Sequence, residues 1–376
     1  METTTADATR PLRILHLDAE MGFRGGERQV QLLVHGLRAA GHEQLVAGPE
    51  GGKLLPVLAG EGFATAAWKR PWLLGIRSPF LKYWMQEVAD RFRPDIVHAH
   101  TGNAHTLAVI ALLERHRVVV TRRVDFPIKA NSFSRVKYTR PGQHYIAISH
   151  TIRDVLVAGG VAPERIDIVH SGVDVARVTG GDGAAVRREW LGGDEGPVIG
   201  FVGALVDHKA PWVLAEAARL VRRELPGARV VFVGDGELRP RLEEMAADSP
   251  PGTIVLAGWR EDMANCLAAM DLFVMPSKLE GLCTSLIDAL AAGVPAVASR
   301  AGGIPDVVVD GETGDLVPPL DAGALAAAIV ALWRDPARRE RYRAAGRARV
   351  ESHFTAAAMI RGTQAVYQRV MESPPG

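Results

Sequence analysis

Short apolar runs alternate with amphipathic stretches along nearly the whole chain, and that alternation constrains the fold more than any single motif. Parallel strands buried on both faces read as continuous apolar runs, and each needs a crossover, usually a helix, to reach the next. Strands are expected at Arg13–Leu17, Gln44–Ala47, Ile96–Ala99, Arg117–Val120, His144–Ile148 and Asp167–Val169, with helices at Gly26–Ala40, Thr106–Glu114 and His150–Ala158. A Gly- and Asp-rich passage, Thr179–Ala184, reads as a linker, after which the pattern restarts. The second series has strands Pro197–Val202, Arg229–Val233, Thr253–Ala257, Leu272–Met275 and Ala296–Ala298. Helices are expected near Pro211–Glu224, Leu238–Ala247, Met263–Ala269 and Ser285–Ala292, and helical pattern dominates from Asp321 onward. At 376 residues the chain exceeds the roughly 250–300 residues at which one core stops growing. Two Rossmann-like α/β domains in series are the expectation, residues 1–178 and 185–352, with ligands met where strands end.

Composition removes several classes of function. A net charge of +1 argues against a general nucleic-acid binder. Cys266 and Cys283 stand far apart, outside any CxxC or Cys/His cluster, so neither a disulfide framework nor a zinc pattern is indicated. The start METTTADATR is polar and lacks an apolar core, and the longest uncharged apolar stretch, Ala322–Trp333, is too short to span a bilayer. A cytoplasmic protein is expected. The charge is uneven: residues 1–180 hold 23 basic against 17 acidic residues, a net of +6, which leaves −5 for the rest.

The densest chemistry lies in residues 275–306, MPSKLEGLCTSLIDALAAGVPAVASRAGGIPD. A strand stops at Pro276, a loop carries Glu280, Gly281, Thr284 and Ser285, and a helix begins. Unpaired amides at a helix start attract anions, and a neighbouring Gly lets a phosphate approach. Like charges repel, so Glu280 suits hydroxyl groups better than phosphate. Asp288, eight positions on, can accept from a further hydroxyl or, with Ser285, form a capping box. Lys209, beyond strand Pro197–Val202, can meet a diphosphate as a point charge. Gly234-Asp235-Gly236 is a fragment of a dinucleotide fingerprint. Gly25-Gly26 opens the first domain's first helix, and His98 and His100 share one face of the strand end. A histidine there can donate to or accept from sugar hydroxyls. His98 is expected in the core and His105 at a helix start.

Glu280-Gly281, Asp288-Ala289, Gly293-Val294-Pro295 and Gly302-Gly303-Ile304-Pro305 resemble the donor-site signature of retaining GT-B glycosyltransferases, family 4. The resemblance implies two Rossmann-like domains facing across a cleft, with the closing helix in residues 353–376 crossing back onto the first. It implies metal-independent transfer of a sugar from a nucleotide-diphosphate-sugar, the co-substrate, to a glycan or lipid-linked acceptor. It assigns His100, Lys209 and Glu280 to catalysis, and Gly25, Gly26, Gly234, Gly236, Trp259, Arg260, Gly281, Leu282, Thr284, Ser285 and Asp288 to donor binding. Glu27, Arg122 and Arg123 become acceptor candidates. The family's usual Arg beside the glycine of Gly-Arg-Leu is Ala204 here, and its second Glu is Asp288. No Asp-x-Asp motif is present, so no metal or cofactor is expected. A nucleotide-sugar epimerase and a non-catalytic sugar-nucleotide or glycan-binding protein are the alternatives.

Residues 115–140 hold eight basic residues and one acid, and residues 68–84 hold four bases and three of seven tryptophans. Such interleaving suits an anionic membrane surface. A peripheral enzyme at the inner face of the membrane is the expectation, with no nucleic-acid partner.

Overall fold

A computed structural model describes residues 10–69, 75–129, 131–193 and 195–372. The described residues divide into two compact units: those within 10–148, 153–169 and 359–372, and those within 149–152 and 170–358.

The first unit holds strands β1 (Arg13–Leu17), β2 (Glu43–Pro49), β3 (Ala64–Trp68), β4 (Ile96–Ala99), β5 (Arg117–Arg122), β6 (Gln143–Ala147) and β7 (Ile166–Ile168), in the order β3-β2-β1-β4-β5-β6-β7, with every pairing parallel. The second holds β8 (Val198–Val202), β9 (Arg229–Val233), β10 (Ile254–Gly258), β11 (Leu272–Met275), β12 (Ala296–Ser299) and β13 (Gly314–Val317), in the order β10-β9-β8-β11-β12-β13, again all parallel. Both orders reverse once, at β1/β4 and at β8/β11. At such a reversal neighbouring crossovers go to opposite faces and leave an opening at the strands' carboxyl ends.

The strands that the pattern did not announce, β3 and β13, are edge strands. ATAAW and GDLV pair on one side only, so neither needs the continuous apolar run of a central strand. Helices Leu54–Gly60, Pro79–Phe92 and Ser132–Thr139 were also unannounced, and the expected linker ends in the helix Ala184–Leu191.

Helix Ala356–Glu372 returns the chain to the first unit and buries Met359, Thr363, Val366, Tyr367 and Val370 along one stripe. Met359, Val366, Tyr367 and Val370 join Ile14, Leu33, Leu37, Ile96, Val119 and Val169 in one core. A Cβ on Gly36 would lie 2.0 Å from Ile360 Cδ1, so the glycine is what lets this helix seat. The unit boundaries fall at 169/170 and 358/359 rather than at 178 and 352. Val173 and Ala356 exchange backbone hydrogen bonds with their neighbours in the second unit, which draws 170–178 and the helix's first turn into it.

Candidate functional site

In the second unit the loops after β8 and β11 meet at the reversal. Lys209 Nζ donates to Glu280 Oε1, and Ser277 Oγ donates to the same oxygen at 3.1 Å. Burial works against the ammonium, yet Glu280 beside it holds the Lys209 pKa above its ordinary value. Ala210 (φ +45°) and Cys283 (φ +63°) flank the pair, two of the four non-glycine residues with positive φ among the described residues. Such backbone costs on the order of 1–3 kcal/mol and persists where surrounding packing enforces it. Here it turns Lys209 inward and starts the helix Thr284–Ala292 directly after the Glu280 loop. Burial pushes the Cys283 thiol up to about 12, so it is no nucleophile.

Gly302 and Gly303 serve this loop. A Cβ on Gly302 would lie 2.0 Å from the Glu280 carbonyl oxygen, and one on Gly303 2.1 Å from that of Gly281. Gly303 N–H donates to Glu280 O at 2.8 Å. Leu282 is buried, so only its backbone can meet a ligand, whereas Thr284 and Ser285 are half-buried. Ala204 is exposed, and no guanidinium stands in that position. Lys278 is the next cation along the β11 loop, paired with Asp207 at 2.7 Å.

Several sequence expectations change here. The helix starts at Thr284 with Cys283 as its cap, so Ser285 and Asp288 form no capping box; Asp288 Oδ2 instead accepts from Arg177 at 3.0 Å. Gly234 and Gly236 are required by protein, since a Cβ on either would lie 2.0 Å from Gly203 O or 2.5 Å from Leu205 O. Trp259 is 76% exposed rather than structural. Arg260 is held between Asp262 at 2.8 Å and Glu189 at 3.0 Å, which leaves its guanidinium engaged.

In the first unit, Asp18, His100 and Arg123 follow β1, β4 and β5, three adjacent strands at the β1/β4 reversal. Gly25 and Gly26 open the helix Gly25–Ala39, and Glu27 Oε2 accepts from Arg24 N–H at 2.6 Å, capping it. A Cβ on Gly26 would meet only Arg123 Cδ at 3.9 Å, so packing does not demand glycine there. Burial pushes the Asp18 carboxyl up to about 7, with Glu27 adding to the push. Burial also holds Arg123 down at about 10, while Asp18 and Glu27 oppose it. His100 is buried, with Nε2 3.0 Å from His16 Nδ1. His98 is in the core, bonded to Tyr367 and Thr121. His105 lies inside a helix that starts at Gly102 rather than Thr106, bonded to Gln143.

The basic stretch 115–140 is mostly not a surface. Arg123 is half-buried, Arg122 donates to Tyr138 Oη at 2.6 Å and to Phe126 O, and Lys137 donates to Gly102 O at 2.7 Å. Arg115 and Arg140 pair with Asp90 and Glu114. Of residues 68–84, 70–74 lie outside the described residues; the helix that follows exposes Phe80 and Tyr83.

Asp18, His16, Gln44 and Ser277 were missed. Asp18 is the residue directly after a strand, the same cue that singled out Lys209; the others depend on contacts distant in sequence. Two groups of described residues bring ligand atoms within reach of one ion, His16/His98/His100 and His150/His170/Asp306. In the first the nitrogens are largely engaged with each other and with Gln44, Tyr367 and Thr121. In the second, Asp306 Oδ2 lies 2.9 Å from His150 Nδ1 and 3.0 Å from His170 Nε2.

Residues 196–335 match the family model for glycosyl transferases group 1, and residues 23–177 that for Glycosyltransferase Family 4. Sulfoquinovosyl transferase SQD2 of Arabidopsis thaliana is 28% identical over 72% of this chain and 55% of its own length. The D-inositol 3-phosphate glycosyltransferase of Nocardia farcinica is 32% identical over 70% and 59%. A GDP-mannose-dependent monoacylated alpha-(1-6)-phosphatidylinositol monomannoside mannosyltransferase of Corynebacterium glutamicum is 34% identical over 55% and 56%. The chain thus spans little more than half the length of these relatives. Among solved structures, Anabaena Alr3699/HepE in complex with UDP and glucose has a TM-score of 0.81 at 20% identity, covering 95% of this chain and 99% of that one. A glycosyltransferase from Rickettsia africae has 0.82 at 20%, covering 97% and 100%. At that identity the likeness is one of fold, and the fold is GT-B.

Proposed function

The chain belongs to the GT-B glycosyltransferases of group 1 and family 4, and on that footing we propose that it moves a sugar, with retention, from a nucleotide-diphosphate-sugar to a glycan or lipid-linked acceptor. The observation that carries this reading is the buried Lys209–Glu280 pair at the β8/β11 reversal, set against the start of the helix Thr284–Ala292. A diphosphate arriving there competes for the ammonium, and the amides of residues 281–285 add donors without a cation. Glu280, released from Lys209, accepts from the sugar's hydroxyls. Asp288, held by Arg177, faces the ribose, and the backbone around Trp259 meets the base. Charge developing on the leaving phosphate is stabilised by Lys209 and the amides, and that phosphate takes the acceptor's proton. No nucleophilic carboxylate is required. With Ala204 in place of an arginine, Lys209 carries most of the phosphate charge. In the first unit His100, Gly25 and Gly26 serve the reacting sugar, and Glu27 and Arg123 shape the acceptor's approach.

Thermal-shift screening against UDP-, GDP- and ADP-sugars should raise the melting temperature with one of them, in the presence of EDTA. Turnover of that donor should then vanish in Lys209→Ala and Glu280→Ala variants that keep their circular dichroism. Binding without turnover in the wild-type protein would favour the non-catalytic alternative, to which Ala204 lends some weight. A 2-epimer and free nucleoside diphosphate formed without acceptor would indicate an epimerase.

The acceptor is proposed to be presented at a membrane. Two of the relatives are named for phosphorylated acceptors, inositol 3-phosphate and a phosphatidylinositol mannoside. Phe80 (86% exposed) and Tyr83 (78%) flank the exposed Lys82, and Phe126 and Val136 are further exposed apolar groups of the same unit. Among the described residues no helix is long and apolar enough to cross a membrane, so the reading is of surface attachment at the cytoplasmic face. Vesicles containing anionic lipid should sediment the protein at low salt, and Phe80→Ser with Tyr83→Ser should abolish it. Equal recovery of both proteins in the supernatant would refute the membrane proposal.

A further inference from the structure

The buried histidines of the first unit admit one arrangement of protons. Gln44 Nε2 donates to the Val34 carbonyl oxygen at 2.9 Å, which turns the amide oxygen the other way. That oxygen lies 3.1 Å from His16 Nε2, and an amide oxygen only accepts. His16 therefore carries its hydrogen on Nε2 and presents a lone pair at Nδ1. His100 Nε2 lies 3.0 Å from that lone pair, so His100 donates from Nε2. A neutral imidazole has a single N–H, which leaves His100 Nδ1 without hydrogen. Both rings are neutral near pH 7, because burial pushes His16 down to about 3 and His100 well below the ordinary histidine value.

His100 Nδ1 is buried and has no hydrogen-bond partner among the described residues. Asp18 Oδ2, at the end of the neighbouring strand β1, is buried and without a partner in the same sense. A buried acceptor left unmatched costs about 1–3 kcal/mol, so His100 Nδ1 is matched only when a donor reaches it.

We infer that Gln44 and His16 are positioning residues that lock His100 in its Nε2–H tautomer, making Nδ1 an acceptor-only contact for a ligand hydroxyl. The hydrogen-bond relay runs from the His100 donor through His16 and Gln44 to the Val34 carbonyl oxygen, its side chains placed by the adjacent strands β4, β1 and β2. It bars His100 from acting as a general acid through Nδ1. Only the identity of the ligand, a sugar with a free hydroxyl, rests on the glycosyltransferase reading.

Nitrogen NMR of the free protein, labelled with 15N-histidine and with His100 assigned by its loss in His100→Asn, tests the relay without any ligand. The expected result is one tautomer with hydrogen on Nε2 in the wild-type protein, and a mixture in Gln44→Met, which removes the oxygen facing His16 at similar volume. Hydrogen on Nδ1 in the wild type, or an unchanged single tautomer in Gln44→Met, would overturn it. Turnover then tests the contact. Asn places an amide where Nδ1 stands and Gln places one where Nε2 stands, so His100→Asn should keep kcat/KM within about tenfold, and His100→Gln should lose roughly a hundredfold or more. Equal losses in the two would show that Nδ1 meets no ligand. A chain with no turnover at all would sink the proposed function and leave the NMR result standing.

Discussion

The carboxyl edges of the two sheets solve the same problem of buried polar groups in opposite ways. At the β8/β11 reversal, Lys209 and Glu280 satisfy each other, with Ser277 adding a third contact. At the β1/β4 reversal, Asp18 Oδ2 and His100 Nδ1 are buried without a hydrogen-bond partner among the described residues. The β1/β4 edge leaves polar atoms open to a ligand, whereas the β8/β11 edge holds a closed ion pair and must exchange one partner for another. Each arrangement fits its proposed ligand, since a hydroxyl supplies a donor outright whereas a diphosphate must compete for a cation.

The contrast extends to the glycines, and there it can be broken by the largest effect. Gly302 has φ +52°, and its missing Cβ would occupy the space of the Glu280 carbonyl oxygen. Gly302→Ala should therefore cost about 3 kcal/mol by urea unfolding. A loss too small to measure would mean that the Glu280 loop is not held against Gly302.

Next in size is an opposition in pH response. The native Asp18 carboxyl keeps its proton up to about 7, whereas an unfolded one loses it near 3.9. Between those values the folded state binds more protons, so this group makes stability fall as pH rises from about 4 to about 7. Asp306 has the opposite sign. Burial works against its charge, but donation from His170 and His150 holds its pKa below the ordinary value. Its contribution is present above the unfolded pKa and is lost as pH falls through the lower folded one. Urea midpoints from about pH 4 to about pH 7 should show a shallower decline in Asp18→Asn, whereas Asp306→Asn should lose stability throughout that range and lose less only in samples below about pH 4. Parallel curves for wild type and Asp18→Asn would remove Asp18 from the argument.

The smallest stability effect belongs to Gly26→Ala, whose new methyl group has room. It should change stability by less than about 1 kcal/mol while lowering kcat/KM for the donor. Full activity in that variant would make Gly26 an ordinary helix-start residue.

Much of this architecture was legible because it is local. Continuous apolar runs such as Arg229–Val233 can hardly be anything but central strands, and the turn from strand Leu272–Met275 into the helix Thr284–Ala292 shows in a few consecutive residues. The edge strands β3 and β13 were not legible, since half-exposed strands need no distinctive pattern. The basic stretch 115–140 misled because charge counts do not reveal that Arg122 and Lys137 are buried and Arg123 half-buried.

The sequence by itself determined two α/β units and the residues standing just beyond their strands, because burial on both faces dictates composition residue by residue. Only the tertiary structure decided which of those residues meet. Lys209 finds Glu280 across 71 positions, and His16 finds His100 across 84. Such pairings follow from the order of strands in a sheet, which is set by crossovers and packing rather than by any run of neighbouring side chains.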